Sequence, residues 1–396
     1  MDSGRSVRAI IVYRNQPLPV SETFVYHQAM GLERFEAYIV GSKFPQGPHI
    51  PLPAERVYVA NRGGLLGWAQ EVGLKVGGWP PPEMMRWMRD KRPALVHAHF
   101  APDGAVAMHI ATRLRVPLVV SVHGSDVTMS DAHVLRHSYT NHRLYLLRRR
   151  RLAGAAARVV VQSDFLRSVM VHRHAFPEHR IALVRLGVDL DRLRPVAGRT
   201  ERGSVLYVGR LTERKGLRYL IHALRLVRTR LGHARLTVIG DGPMRANLEA
   251  LAAEVLGDGF VFLGAQPERV VREQLERADV FCMPSITMPS GEVETLGVVF
   301  LEAMAMMVPV VSCRSGGIPE VVVHGSTGLL ADERDVDGLA RHLTALLDDR
   351  ELRDRMGRAG RDRVEQEFDL VKQNRLLEDV YDAVLAEHEG TRGRGV

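Results

Sequence analysis

Two cations and two carboxylates in the second half of the chain have the spacing of a binding site for an anion with hydroxylated ends. Arg210 and Lys215 follow a short apolar run, while Glu294 and Glu302 bracket a predicted helix start at Gly297. The first amides of a helix have no intrahelical partner and lie at the positive end of its dipole, so they bind phosphate. Carboxylates accept hydrogen bonds from hydroxyls. The pattern predicts a site for a diphosphate that joins a sugar to a ribose.

The elements that must position these residues read as strand, loop, helix and strand. A segment of helical length and composition, residues 296–307, lies between two apolar runs suited to buried parallel strands. This βαβ order places the loop at the carboxyl end of a strand, where open α/β sheets bind ligands. We therefore expect the first turn of the helix to contain Leu296, Gly297 and Val298.

The motifs around this unit carry a family resemblance. ETLGVVFLE is followed by EAMAMMVPVVS and SGGIPE, and VGRLTERKG places Arg210 and Lys215 in a strand-to-helix loop. Together they resemble the donor site of retaining GT-B glycosyltransferases of family 4, in the style of exopolysaccharide and colanic-acid enzymes. The resemblance implies an α/β protein with two Rossmann-like parallel-sheet domains facing an interdomain cleft. It also implies transfer of a hexose from a nucleotide-diphosphate sugar, with UDP-sugar favoured and GDP-mannose next, to a glycan or lipid-linked acceptor in cell-surface polysaccharide biosynthesis.

The resemblance assigns the catalytic chemistry to Glu294, His123, Arg210 and Lys215. It assigns donor contacts to a wider set: Gly209, Arg210, Lys215, Gly240, Gly242, Gln266, Glu294, Leu296, Gly297, Val298 and Glu302. The cations and helix amides would stabilise the departing diphosphate, Glu294 would hold the hexose and Glu302 the ribose. This chain has Thr295 where the family commonly has glycine, which bears on the loop and on hexose preference. No metal and no separate cofactor are implied.

The first half of the chain is expected to bind the acceptor, and its clearest signal is a histidine at a strand end. The run VPLVVSV predicts a buried strand that leads to His123, and HGSD resembles the family motif whose histidine contacts the transferred hexose. The implied acceptor-side residues are Ser21, Glu22, Asp103, Gly104 and Asp126. For Glu22, a plain charge in the first turn of a helix is an equal alternative.

Two pairs of residues have the spacing of metal ligands. His97 and His99 lie on the same side of the predicted strand ALVHAHF, and a structural or pocket-lining role is favoured because no third ligand has suitable spacing. Asp189 and Asp191 form a D-x-D within a segment that resembles the family's interdomain connection. We therefore expect no metal at either pair.

Length and composition predict a globular protein of two domains. The chain has 396 residues, of which 45% are hydrophobic and 25% are charged. The expected organisation is an acceptor domain (residues 1–190), a linker (191–204), a nucleotide-sugar domain (205–375), and a terminal helix and tail (376–396) that returns to the first domain in relatives.

Cysteine usage and the lack of an apolar leader predict a cytoplasmic protein. Cys282 and Cys313 are the only cysteines, which favours buried thiols in a reducing compartment over a disulfide framework. The apolar stretches are interrupted by charge or proline, so no membrane-spanning helix is expected.

The positive charge is concentrated in the first half. Residues 1–195 contain 27 Lys and Arg against 15 Asp and Glu, within a chain of net charge +8. Such a half is suited to an anionic membrane or a phosphorylated substrate, whereas no nucleic-acid-binding signature accompanies it. The arginine run at 148–151 is either a solvated helix face or a contact with the inner membrane surface. Residues 65–79 predict an apolar helix or a docking surface.

Three other functions remain open at this point. A glycosyltransferase acting on a small-molecule acceptor would share every motif above. A GT-B phosphorylase would need free phosphate and a pyridoxal cofactor on a lysine, for which no lysine context stands out. A non-catalytic sugar-nucleotide-binding module would have lost charged groups that this chain keeps.

Overall fold

The chain folds into two compact units. A computed structural model describes residues 7–17, 22–45, 50–137, 140–196 and 201–393. Unit 1 comprises residues 1–186 and 370–396, and unit 2 comprises residues 187–369. The divisions fall at 186/187 and 369/370, a few residues before the predicted boundaries at 190/191 and 375/376.

Unit 1 is built on a seven-stranded sheet. Its strands are β1 (Arg8–Tyr13), β2 (Phe35–Lys43), β3 (Val57–Asn61), β4 (Leu95–His99), β5 (Leu118–Ser121), β6 (Ala156–Val161) and β7 (Ile181–Leu183). The order is β3-β2-β1-β4-β5-β6-β7, and every neighbouring pair is parallel. Most of these strands are apolar on both faces, as expected for a sheet covered by helices on each side.

Helices cover both faces of this sheet. They are α1 (Thr23–Met30), α2 (Gly64–Val72), α3 (Pro82–Asp90), α4 (Ala101–Leu114), α5 (Ser125–Thr128), α6 (Asp131–His137), α7 (Thr140–Ala155) and α8 (Asp164–His172). Alternate residues of β1 enter opposite cores: Ile11 and Tyr13 pack in one, and Ile10 and Val12 in the other.

Unit 2 is built on a six-stranded parallel sheet. Its strands are β8 (Ser204–Val208), β9 (Arg235–Ile239), β10 (Phe260–Gly264), β11 (Val280–Cys282), β12 (Val310–Cys313) and β13 (Gly328–Ala331). The order is β10-β9-β8-β11-β12-β13. Its helices are α9 (Leu217–Arg230), α10 (Arg245–Leu256), α11 (Glu268–Arg277), α12 (Val298–Ala305), α13 (Ile318–Val321), α14 (Val336–Asp348) and α15 (Arg350–Glu367). Both cysteines are buried, as predicted.

The last helix, α16 (Leu370–Gly393), belongs to unit 1. Leu377, Tyr381 and Val384 enter the same core as Ile10 and Val12. The Tyr381 hydroxyl lies 2.6 Å from Nδ1 of His97 in the middle of that core. The end of the chain therefore completes the hydrophobic core of the first unit.

In each sheet the strand order reverses beside the first strand of the unit. The reversal lies between β1 and β4 in the first sheet and between β8 and β11 in the second. At such a point the loops after the two strands diverge and leave a crevice at the carboxyl edge. The predicted site residues of each unit follow these strands or the nearby strands β5, β9 and β10, so the fold of each unit brings them to one edge.

Candidate functional site

In unit 2, the loops after β8, β9 and β10 lie directly against one another. The Gly209 amide donates to Ile239 O (3.0 Å), and the Gly240 amide donates to Gly264 O (2.8 Å). Gly240 has φ +138°, and a Cβ there would collide with the carbonyl of Gly209. A Cβ on Gly242 would meet Leu211. These predicted donor residues are therefore glycines because two backbones meet there.

Lys215 reaches the site through a tight turn after β8. Residues Glu213–Lys215 form a single 3₁₀ turn, and Gly216 follows it with φ +71°. A Cβ on Gly216 would collide with the carbonyl of Pro284 after β11. The left-handed conformation and this close approach both require glycine, and together they bring Lys215 to the loop that contains Glu294.

Lys215 and Arg214, both half-buried, form a charge cluster with the buried Glu294. Nζ of Lys215 contacts Oε2 of Glu294, and Nη1 of Arg214 lies 3.5 Å from the same oxygen. Burial alone would raise the pKa of Glu294, but the charges of Lys215 and Arg214 hold it below its ordinary value. Burial lowers the pKa of Lys215, against the opposing effect of Glu294. With all three groups ionised the cluster carries one excess positive charge, which favours a further anion.

Two turns hold Glu294 beside the start of α12. The Gly317 amide donates to Glu294 O (3.0 Å), and a Cβ on Gly316 would collide with that carbonyl. Gly297, at φ +80°, immediately precedes the helix. α12 begins at Val298, so the prediction that Leu296 lies in the first turn is wrong: Gly297 turns the chain, and Leu296 is a buried residue of the preceding loop.

Glu302, one turn into α12, is a half-buried residue whose carboxyl has a strongly raised pKa. Burial and then the charge of Glu268 raise this pKa to about 7. Among the described residues, no hydrogen bond to its side chain is found. The Gln266 amide group donates to Leu263 O (2.6 Å) within its own loop. Arg210 is exposed, and within the described ranges its guanidinium has no ion pair.

In unit 1, His123 lies in an aromatic cluster. Its Nε2 is 3.1 Å from Nδ1 of His99, and the two rings stack with centroids 5.2 Å apart. Phe24 and Phe100 lie 5.0 and 4.7 Å from the His123 ring. Burial, with the charges of His97 and Arg14, holds the pKa of His123 well below its ordinary value, so this imidazole is neutral at pH 7.

Asp126 fixes the position of the His123 loop. Its carboxylate accepts the amides of Gly124 (2.7 Å), Ala101 (2.9 Å) and His123 (3.2 Å). The side chain thereby ties the strand end at β5 to the start of α4. Because its oxygens are occupied by backbone donors, Asp126 acts on His123 through position.

Arg14, which the sequence analysis did not nominate, joins two predicted acceptor-side residues. Its guanidinium donates to both oxygens of Glu22 (2.6 and 2.7 Å) and to Asp103 (2.7 Å). It also lies 4.3 Å above the ring of Phe100, a non-glycine residue at φ +74°. Glu22 directly precedes α1, so it is a charge at a helix start and a partner of Arg14 at the same time. Ser21 lies outside the described residues.

The remaining nominated residues have structural surroundings. Gly104 is buried, and a Cβ there would lie 2.9 Å from Val120, so its small size lets α4 pack on the sheet. His97 hydrogen-bonds to Ser121 (2.8 Å) inside the core. Asp189 accepts the amide of Asp191 (3.0 Å) in a local turn. In the described part of the chain, no group of three or more His, Cys, Asp or Glu residues is arranged to hold a metal.

Two units, each built on a parallel α/β sheet, have the architecture of the GT-B class of glycosyltransferases. The chain belongs to the glycosyltransferases, since residues 21–192 match the family model Glycosyltransferase Family 4 and residues 191–363 match Glycosyl transferases group 1.

Named relatives agree with this assignment. The chain is 35% identical over 294 residues to the Escherichia coli protein "Putative colanic acid biosynthesis glycosyltransferase WcaL", which covers 72% of this chain and 70% of that one. It is 36% identical over 257 residues to the GDP-mannose-dependent alpha-(1-6)-phosphatidylinositol monomannoside mannosyltransferase of Mycobacterium tuberculosis, covering 62% of this chain and 64% of that one.

Solved structures share the fold. HepE of Anabaena, crystallised with UDP-glucose, superposes with a TM-score of 0.74 at 20% identity and covers 95% of this chain and 99% of that one. The first half, like the second, thus has the predicted α/β architecture. Within the described ranges, no helix combines the length and apolar character that crossing a bilayer requires.

Proposed function

We propose that the protein is a retaining hexosyltransferase that moves a hexose from a nucleotide-diphosphate sugar to a glycan or lipid-linked acceptor. The observation that carries this proposal is the cluster of Lys215, Arg214 and Glu294 beside the start of α12. Two cations and a helix N-terminus suit a diphosphate, and the adjoining carboxylate suits sugar hydroxyls. The cluster thus provides cations for the diphosphate on one side of the bond that breaks and a carboxylate for the hexose on the other side.

In this proposal, donor binding rearranges the charges of the cluster. Lys215 and Arg214 turn to the diphosphate, together with the amides of Gly297 and Val298 and the exposed Arg210. Glu294 is then available to accept hydrogen bonds from the hexose. Negative charge that develops on the leaving diphosphate meets fixed donors in a buried setting, where such stabilisation is most effective.

The other donor contacts follow the position of α12. Glu302 accepts the ribose hydroxyls, and the loops at Gly209, Gly240 and Gly242 lie along the nucleotide. Gln266 marks the edge that meets the base. For His123, which is neutral at pH 7, we propose a hydrogen bond to a sugar hydroxyl.

Retention would follow a front-face path in which a donor β-phosphate oxygen helps to remove the acceptor proton. No metal ion and no further cofactor take part in this proposal, because side-chain cations and helix amides supply the charge at the diphosphate. The buried ion pair of Lys215 supports that role, since an ammonium held at the leaving group acts as a fixed electrostatic donor.

For the donor nucleotide, we favour UDP over GDP. HepE was crystallised with UDP-glucose, while the mycobacterial relative is named for GDP-mannose. The colanic acid name of the Escherichia coli relative supports a role in cell-surface polysaccharide biosynthesis. A lipid-linked acceptor would bring the protein to an anionic membrane surface on the cytoplasmic side.

The proposal is tested by nucleotide release from a panel of UDP-, GDP- and ADP-sugars, followed by mass analysis of the product and NMR assignment of its anomeric configuration. Lys215→Met should abolish most of the release. Arg218→Gln is the matched control, since Arg218 lies one turn further along and pairs with Glu213 at 3.6 Å on the surface. Phosphate-dependent turnover without nucleotide release would instead identify a phosphorylase.

A further inference from the structure

Helix α2 carries its apolar side chains on the outside. Leu65, Trp68, Ala69 and Val72 have the i, i+3, i+4, i+7 spacing that normally faces a core, yet all four are exposed. Leu65 is 81% exposed and Trp68 is 58% exposed. Among the residues that the structure describes, none covers this helix face.

The inward side of the same helix is small and polar. Gly67 is buried against Asn61, where a Cβ would lie 2.5 Å from Oδ1. Glu71 accepts a hydrogen bond from the Asn61 side chain (2.7 Å) and pairs with Lys75. The helix is thus fixed to the unit by polar contacts, and its outward orientation is set by the packing of Gly67 and Glu71.

The apolar face continues beyond the helix. Trp79 is 68% exposed and Val76 is 50% exposed. Leu74, two residues before Val76, is fully buried, and the Trp79 amide donates to Gly73 O (2.9 Å), which closes the turn. We call the exposed set the apolar surface; its members are Leu65, Leu66, Trp68, Val72, Val76 and Trp79. Two of the three tryptophans of the chain lie in it.

Arginines of α4 and α7 border this surface. Arg148 donates to Lys75 O (2.8 Å) and to Val76 O, so it binds the backbone of the apolar segment. The ring of His109 abuts Gly78, and the charges of Arg148, Arg113 and Arg151 all act on it. We call Arg113, Arg148 and Arg151 the arginine rim. In the described part of the chain none of the three has a carboxylate partner.

The arginine run 148–151 therefore divides in two. Arg149 pairs with Asp131 (2.8 Å), whereas Arg148 and Arg151 belong to the rim. A solvated helix face does not account for Arg148, because its guanidinium donates hydrogen bonds to two backbone carbonyls of the apolar segment. Two arginines of the run, Arg148 and Arg151, therefore lie at the border of the apolar surface.

We propose that the apolar surface and its arginine rim dock unit 1 on an anionic lipid bilayer, with the two tryptophans at the level of the headgroups. Tryptophan and leucine suit the boundary between headgroups and acyl chains, and arginines without a carboxylate partner suit anionic headgroups. A second copy of this chain is a poorer occupant, because a two-fold contact would bring each arginine rim toward its own copy. The inference rests on the proposed membrane-held acceptor for its purpose, but its test is independent.

The test uses the purified full chain and sedimentation with vesicles of phosphatidylcholine alone or mixed with phosphatidylglycerol. Wild-type protein should sediment with the mixed vesicles, less at high salt, and should show a blue shift and quenching of tryptophan fluorescence by bromolipids. Trp68→Ser with Trp79→Ser should lower the binding by on the order of tenfold or more. Trp68→Phe with Trp79→Phe should retain most of it and so exclude a folding defect.

A second experiment tests the charge and compares two double variants that each remove two arginines. Arg113→Gln with Arg151→Gln should weaken vesicle binding by on the order of tenfold and reduce its salt dependence. The control, Arg143→Gln with Arg150→Gln, removes the same charge from a side of α7 that lies about a third of a turn from Arg148 and Arg151. Equal losses in both pairs would overturn the assigned surface, as would unchanged binding after the serine substitutions.

Two further readouts separate the alternatives. Light scattering that shows a wild-type dimer and a monomeric serine variant would overturn the membrane proposal in favour of self-association. Nucleotide release measured without vesicles should be unchanged in the serine variant. If wild-type protein binds mixed vesicles but releases no nucleotide from any sugar donor, the proposed function fails and the docking surface stands.

Discussion

Replacement of Lys215 by methionine tests the charge cluster most directly. The substitution keeps the length of the side chain and removes its charge, so Glu294 would be left with Arg214 as its cation, 3.5 Å away. The side chains of Lys215 and Glu294 are only 14% and 10% exposed, which makes the remaining carboxylate costly to bury.

Two magnitudes follow from this geometry. Breaking a buried ion pair by removing one partner costs about 3–5 kcal/mol of stability, and the nearby Arg214 places Lys215→Met at the lower end, about 3 kcal/mol. Loss of one positioned donor to a developing oxyanion lowers turnover by on the order of 10²- to 10³-fold. The two effects are separable because stability depends on the pair and turnover depends on the cation.

The assay combines urea unfolding with nucleotide release at saturating donor. Lys215→Met with Glu294→Gln should recover much of the lost stability, since no unpaired carboxylate remains, yet its turnover should stay as low as that of the single variant. Well-folded Lys215→Met protein with turnover within about threefold of wild type would refute the assignment of Lys215 to the diphosphate.

Three other predictions concern groups around the two sheets. Since the pKa of Glu302 is raised from 4.5 to about 7, the folded carboxyl keeps its proton to higher pH than the unfolded one and wild type loses stability as pH rises through this window. The free energy of unfolding of Glu302→Gln should therefore rise relative to that of wild type between about pH 5 and about pH 8, by on the order of 3 kcal/mol in urea unfolding. A difference that does not change with pH would contradict this. Arg14→Gln should lower the free energy of unfolding by about 3–5 kcal/mol, because Asp103 is then buried beside a second carboxylate. Adding Asp103→Asn should restore part of the lost stability. If it restores none, the loss comes from packing. Gly216→Ala should be destabilised by more than the about 1 kcal/mol expected for Gly257→Ala in thermal unfolding, because both have positive φ but only Gly216 meets a carbonyl; equal losses would exclude the steric contribution.

The sequence predicted the sheets well because parallel strands are continuous apolar runs. VPLVVSV and RLTVIG contain β5 and β9, and FVFLG matches β10 residue for residue. Element ends were less accurate: α12 begins at Val298 rather than at Leu296, since a glycine at φ +80° turns the chain first.

The missed residues are those whose partners lie far away along the chain. Arg14 and Asp103 are 89 positions apart, and no local pattern relates them. Arg214 stands within the motif that nominated Lys215, but only the fold shows that it also faces Glu294. The spacing of Leu65, Trp68 and Val72 showed that α2 has an apolar face; the polar contact of Glu71 with Asn61 decides that this face is outward.

The return of α16 to unit 1 also constrains how the polypeptide is made. Tyr381 and Leu377 pack in the same core as Ile10 and Val12, so this hydrophobic face of the first sheet lacks part of its cover until residues beyond 370 have left the ribosome. At a synthesis rate of about 5–20 residues per second, that face stays exposed while the whole of unit 2 is made. Unit 2 is contiguous and is free to fold first, so the natural order of assembly runs opposite to the order of the chain, and a nascent chain cut short before α16 would present that bare face to chaperones.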